Sequence, residues 1–150
     1  MTEVLFYHLH RRAVETILPQ LLEKSLERGW RVIVQAGSAE RIEALDAHLW
    51  TYRDDSFLPH GTASDTHAAA QPILLTTGAG NPNRASVRLL IDNVPFPEDW
   101  SEYGRIVVVF DGEDPDALAQ ARERWTAARA EGHDVAYWQH DEDGRWQRKG

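Results

Sequence analysis

Ile106-Val107-Val108-Val109-Phe110, then Asp114-Pro115, then Gly132 and Val135-Ala136-Tyr137-Trp138, form the stretch whose reading decides the fold. The first run is continuously apolar and rich in β-branched residues, bounded by Arg105 and Asp111. That pattern suits a strand buried on both faces better than one with a wet side. Asp114 offers a short carboxylate to cap a helix, and Pro115 at the first helical position has no needed N–H to lose. The helix is expected to run to about Glu131, with Gly132 closing it. Val135 to Trp138 then makes a further strand.

The same alternation extends outward. Val4-Leu5-Phe6-Tyr7 reads as a buried strand. Val14, Ile17, Leu18, Leu21, Leu22 and Leu26 follow the 3.6-residue period of one packed helix face. Pro19 inside this pattern predicts a kink or a late helix start. Gly29 ends that helix, and Val32-Ile33-Val34 supplies another strand. Ser38 caps a second helix with Ile42, Leu45 and Leu49 pointing inward. Residues 51–71 are polar and turn-rich, with Phe57-Leu58-Pro59 as their one apolar run. Ile73-Leu74-Leu75 and Val87 to Ile91 read as strands, joined by the loop Gly78-Ala79-Gly80-Asn81-Pro82-Asn83. Strands alternating with helices predict an α/β fold: one Rossmann-like domain over 1–140, a mostly parallel sheet with helices on both faces, and a polar tail over 141–150.

The chain has 150 residues, 42% of them hydrophobic and 27% charged, enough apolar content for a real core. Twenty-four acidic against sixteen basic residues give a net charge of −8, so strong direct nucleic-acid binding is not expected, although a local basic patch is compatible with that sum. The absence of cysteine excludes disulfides, Cys-based zinc sites and thiol nucleophiles. The N-terminal apolar run has no basic leader, and no run approaches the roughly 18 apolar residues of a membrane helix. A cytoplasmic protein without a membrane segment is expected.

Motifs for catalysis are sparse. The first strand is followed by His8-Leu9-His10-Arg11-Arg12, without the glycines that let backbone amides approach a pyrophosphate. Gly78-Ala79-Gly80 lacks a following Gly-Lys-Ser/Thr and reads as a turn. His8 and His10, with His60 or His67, are drawable as zinc ligands, but no His-Glu-x-x-His pattern accompanies them. Ser56 and His60 lack a nucleophile-elbow context. No cofactor, no metal and no catalytic activity of the chain's own are expected. The rival reading is a small hydrolase or nucleotide-binding enzyme acting through His60 with Ser56 or Asp92.

Leu49 to His60, reading Leu-Trp-Thr-Tyr-Arg-Asp-Asp-Ser-Phe-Leu-Pro-His, is unusual for a loop. Together with Asn81-Pro82-Asn83-Arg84-Ala85, Leu90-Ile91-Asp92-Asn93 and Ala121-Arg122-Glu123-Arg124-Trp125, it closely resembles the chi subunits of bacterial DNA polymerase III, in order and spacing, from Val4 to Trp138. The resemblance implies an accessory protein of the replicase's clamp-loader complex, on a Rossmann-like fold without a working nucleotide site. It implies binding to the acidic C-terminal tail of the single-stranded DNA-binding protein, and pairing with a psi subunit.

Such a tail ends in acids, a proline and a terminal phenylalanine, so its site needs cations and an apolar slot. Arg122, Trp125 and Arg129 lie three and four apart, near one helix face. The resemblance assigns the tail to Arg122 and Trp125, and Val4, Phe6 or Val109 from neighbouring strands are the candidate floor. Leu118 and Thr126 stand where relatives often carry lysines, so either Arg124 and Arg129 compensate as cations or the tail is held more weakly. The psi surface is implied around Trp50, Tyr52, Phe57, Leu58, Pro59 and His60. Direct single-strand binding by these aromatics would need a basic groove.

Overall fold

A computed structural model describes residues 2–10, 13–51, 59–63, 67–78, 80–92, 94–96, 102–140 and 145–149, with the backbone alone at 140. In chain order they form β1 (Glu3–Leu9), α1 (Val14–Glu27), β2 (Val32–Gln35), α2 (Ala39–Thr51), β3 (His60–Thr62), a short 3-10 turn (Ala68–Ala70), β4 (Ile73–Thr76), β5 (Val87–Leu90), β6 (Arg105–Asp111), α3 (Pro115–Ala130), β7 (Asp134–His140) and β8 (Trp146–Arg148). The strands make one sheet in the order β3-β4-β2-β5-β6-β1-β7-β8, parallel except for the last pair.

From β1 the chain crosses by α1 towards β2, and from β6 it crosses by α3 to β7 on the opposite side. The sheet therefore changes its direction of growth between β1 and β6. The crevice outside the carboxyl ends of those two strands is where open α/β sheets seat ligands.

Alternation along the strands sorts the core into two layers. Leu5, Leu9, Val107 and Val109 pack with Ile17, Leu18 and Leu22 of α1 and with Ile42, Leu45 and Leu49 of α2. Val4, Phe6, Ile106, Val108 and Phe110 pack on the other face with Ala117, Ala121 and Ala128 of α3. Each buried Val, Leu or Ile is worth about 1.5–3 kcal/mol over an exposed one, so β6, buried from Ile106 to Phe110, anchors both layers.

The ends of the helices follow from identifiable residues. Asp114 accepts hydrogen bonds from the amides of Asp116 (3.0 Å) and Ala117 (3.4 Å), capping α3 as expected. Gly29, at φ 77°, takes the left-handed position after α1, and the next amide, of Trp30, reaches back to the Ser25 carbonyl at 3.0 Å. Ser38 Oγ accepts from the Arg41 amide at 3.2 Å.

The structure departs from the sequence reading in three places. Pro19 neither delays nor ends α1, which runs through it. A proline there deprives the Glu15 carbonyl of its i+4 donor; the ring Nε2 of His48, on α2, lies 2.8 Å from that carbonyl and replaces the missing amide when it carries the proton. His48→Ala is expected to lower stability by about 1–2 kcal/mol by stripping the carbonyl of its partner. A urea midpoint equal to the parent's, at equal slope, would contradict this. Second, the polar 51–71 region contains β3, which lies parallel beside β4. Third, within the tail, Trp146 to Arg148 pairs antiparallel with β7. Both additions are three-residue edge strands, held by backbone pairing without the apolar runs that reveal inner strands.

Candidate peptide-binding cleft

Alanines at 117, 121 and 128 are the buried face of α3, and their small side chains let the helix lie close to the sheet. Its larger residues are left at the flank. Leu118, Arg122 and Trp125 line one side of a cleft of about 420 Å³. The opposite side is His8, Tyr137, Gln139 and Lys149.

Strand register explains why these four meet α3. Phe6 pairs with Tyr137 and His8 with Gln139, so all four project to the α3 face, while Tyr7 and Trp138 project to the other. Beyond β8, the Lys149 amide donates to the Tyr137 carbonyl at 2.7 Å and continues the ladder by one residue. Lys149 thereby falls on the same face as Tyr137.

The His8 ring is tightly positioned. Its Nδ1 lies 2.7 Å from the Tyr137 hydroxyl, with donor and acceptor set by the tautomer. A Cβ added at Gly112 would overlap the His8 imidazole, so the turn after β6 needs glycine to admit the ring. Burial lowers the His8 pKa from its ordinary value, with His10 and Arg122 adding to the effect and Asp111 opposing it. Burial raises that of Tyr137, partly offset by Arg122. Neutral imidazole and protonated phenol are thus the resting forms at neutral pH.

A histidine held below its unfolded pKa binds fewer protons folded than unfolded, so stability rises with pH through that window. Thermal stability is expected to fall as pH drops below about 6.5, and part of the slope should vanish in His8→Asn. A slope unchanged by that substitution would contradict the assignment.

The indole Nε1 of Trp125 is shielded from solvent and has no acceptor among the described residues. Buried donors are seldom left unpaired, so this N–H is an unmet donor within the wall of the cleft. The Arg129 guanidinium lies over the Trp125 ring, 4.8 Å from its centroid, and makes that ring a cationic wall.

Of the other residues read from the sequence, Arg124 stacks over Phe96 at 5.4 Å and does not line the cleft. Burial lowers its pKa, with Glu123 opposing. Phe6 is wholly buried, with its ring stacked against Tyr137 at 6.4 Å between centroids, so it supports the floor without reaching the surface. Val4 shares that layer. Val109 pairs with Tyr7 and faces α1 and α2, so it is no floor residue. Leu118 lines the cleft as an apolar wall, and the Thr126 hydroxyl is bonded back to the Arg122 carbonyl at 3.0 Å.

In the second region, Trp50 is 49% exposed and its ring lies 4.5 Å from that of His60. His60 is buried, with Nε2 3.0 Å from a carboxylate oxygen of Asp46 on α2. Pro59 is half-buried, while Tyr52, Ser56, Phe57 and Leu58 lie outside the described residues. Asp92 is held by Arg41 (3.3 Å) and by the Gly37 amide (3.1 Å), so the described contacts do not join it to His60. The Gly78 and Gly80 carbonyls accept from the buried Arg88 guanidinium, so that turn aims oxygens at a cation. His10 faces Glu113 at 3.5 Å, and no three potential metal ligands converge among the described residues. No helix among the described residues is long and apolar enough to cross a membrane.

Comparison with known proteins agrees with the resemblance drawn from the motifs. The family described as DNA polymerase III chi subunit, HolC, matches residues 1–136. A protein of Rickettsia prowazekii named "Probable DNA polymerase III subunit chi" is 32% identical over 91 residues, which span 61% of this chain and 55% of that protein. The DNA polymerase III subunit chi of Pseudomonas aeruginosa is 25% identical over 114 residues, 76% of this chain and 78% of its own length. With a match that takes in every element from β1 into β7, the chain belongs to the DNA polymerase III chi subunit family.

Proposed function

We propose that this chain is a non-catalytic accessory subunit of the DNA polymerase III holoenzyme, acting in the cytoplasm. In this reading it links the clamp loader to single-stranded DNA-binding protein by holding that protein's acidic C-terminal tail. The observation that carries the reading is the cleft beside α3, where Arg122 and Lys149 flank an apolar slot walled by Leu118, Trp125 and Tyr137. A terminal phenylalanine supplies a ring for the slot and an α-carboxylate for Arg122. The preceding acids meet Lys149 and the rim of Arg129, whose guanidinium lies over the Trp125 ring. Lys149 supports the reading in particular, because it returns a cation to a cleft where Leu118 and Thr126 supply none.

A single contact of this kind is weak. It becomes effective because several tails are presented together and the loader is already near, which raises the local concentration. Charge complementarity makes the contact salt-sensitive. The Trp50 surface, exposed and backed by His60, suits a psi partner, since exposed aromatics anchor interfaces.

The test is a titration of the protein into a labelled peptide ending in acids, proline and phenylalanine, beside a copy lacking the final residue. Saturable binding of the first, weakened by salt, with at least tenfold loss for the second, is expected. Equal binding of the two would overturn the reading.

A further inference from the structure

The sheet face opposite α3 carries a second cleft, and we propose that it binds single-stranded nucleic acid by stacking bases on its rings. Strand register assembles it. Tyr7 pairs with Trp138, and Trp138 with Arg148, so these side chains share the face away from α3. Trp146, two residues from Arg148 on β8, joins them and meets Tyr7 edge-on with centroids 5.0 Å apart. Trp30, just past the end of α1, completes the aromatic lining of a cavity of about 340 Å³.

Cations frame the rings. Arg28 and Arg105 lie over the Trp30 ring, 5.0 and 4.6 Å from its centroid, and Lys24 lines the same cavity. A second, more polar cleft of about 460 Å³ shares Tyr7, Arg28, Arg105 and Trp138 with the first and adds Arg148, Glu3 and Asp134. Glu3 is engaged by Arg105 at 2.8 Å. Among the described residues the two clefts together hold four cations against two carboxylates, in a chain whose total is −8. Composition argues against a basic groove only on average; this face is where the average fails.

The occupant must be flat, π-rich and anionic. A nucleotide has all three properties in one unit, with its base suited to the aromatic compartment and its sugar-phosphate to the polar one. Every base has a π face, so binding is sequence-tolerant. Trp30 is already covered by Arg28 and Arg105, so the stacking falls to the Trp138 and Trp146 indoles, which an acidic peptide would leave unused unless it carried aromatics at matching intervals. The remaining negative charge of the chain keeps the contact weak and confines it to low salt.

This site lies across the sheet from Arg122, so its test is independent of the tail reading. The protein is titrated at low ionic strength into a labelled oligothymidylate of about ten nucleotides, reading anisotropy and tryptophan quenching. Saturable binding with quenching is expected. Lys24→Glu with Arg28→Glu, both at exposed positions, should weaken it about tenfold or more and flatten the salt dependence by about 0.7 per cation removed. Circular dichroism and the thermal midpoint check that this variant is folded. Arg122→Ala should leave oligonucleotide binding unchanged. Absence of saturable binding, binding that survives the double charge reversal, or an acidic peptide of equal charge displacing the oligonucleotide at equal concentration would each overturn the proposal.

Discussion

Arg88→Leu is expected to unfold with a stability about 3–5 kcal/mol below the parent's, because several neutral acceptors lose a charged hydrogen-bond donor at once, each such bond being worth about 1.5–3 kcal/mol. Arg88 sits on β5 and is completely buried. Its five N–H donors are all used. Nε and Nη2 donate to Gln35 Oε1 at 3.1 and 2.7 Å, Nη1 to the Gly80 carbonyl (2.8 Å) and the Tyr103 hydroxyl (2.9 Å), and Nη2 also to the Gly78 carbonyl at 2.7 Å. Leucine fills much of the volume but leaves these oxygens facing an apolar side chain, and each unsatisfied buried acceptor costs about 1–3 kcal/mol. Urea unfolding at unchanged slope measures the loss. A loss under about 1 kcal/mol would mean that water or relaxation re-satisfies the turn.

Arg122→Ala is expected to weaken the tail peptide by about ten- to a hundredfold, the equivalent of the 1.5–3 kcal/mol of a charge-assisted hydrogen bond. Far-ultraviolet circular dichroism should not change, because the residue lies on the exposed flank of α3. Lys149→Ala should cost less, about 0.5–1 kcal/mol, as an exposed cation partly screened by water. Arg124→Ala should cost nothing in peptide affinity, because its guanidinium is committed to Phe96 outside the cleft. An order of effects with Arg124 above Arg122 would place the tail on the wrong flank of the helix.

Much of the fold was legible in the sequence because inner strands and the faces of helices carry apolar patterns that are local. The run from Ile106 to Phe110, the Asp114-Pro115 start and the left-handed Gly29 and Gly132 all act where the sequence suggests. The strands β3 and β8 were hidden because His-Gly-Thr and Trp-Gln-Arg carry no strand pattern; their neighbours in the sheet decide them. The late helix start that Pro19 suggests does not occur, and its compensation, His48, lies on another helix where local pattern cannot show it.

The candidate cleft was half legible. Arg122 and Trp125 are visible as helix neighbours, and the even parity that puts Val4 and Phe6 beneath α3 follows from the strand. Val109 fails that parity by one residue. His8, Tyr137, Gln139 and Lys149 reach the cleft only through strand pairing and the return of β8, which no helical spacing can signal. Several residues that carry the family resemblance prove to be structural. The Asn81 side chain bonds both the amide and the carbonyl of Ala85, at 2.7 and 2.9 Å, and Asn83 donates to Val32 and Gln71 carbonyls. They keep the family's fold recognisable without touching the cleft.

The most direct measurement is a nitrogen–proton correlation spectrum of the indole groups as the tail peptide is added. The Trp125 indole, which walls the cleft, is expected to shift as the peptide's ring packs beside it, with the Gln139 and Lys149 amides moving alongside. The Trp50 and Trp30 indoles should stay in place. Shifts confined to Trp50 or Trp30, with Trp125 unmoved at saturating peptide, would contradict the assignment of the tail to the α3 cleft.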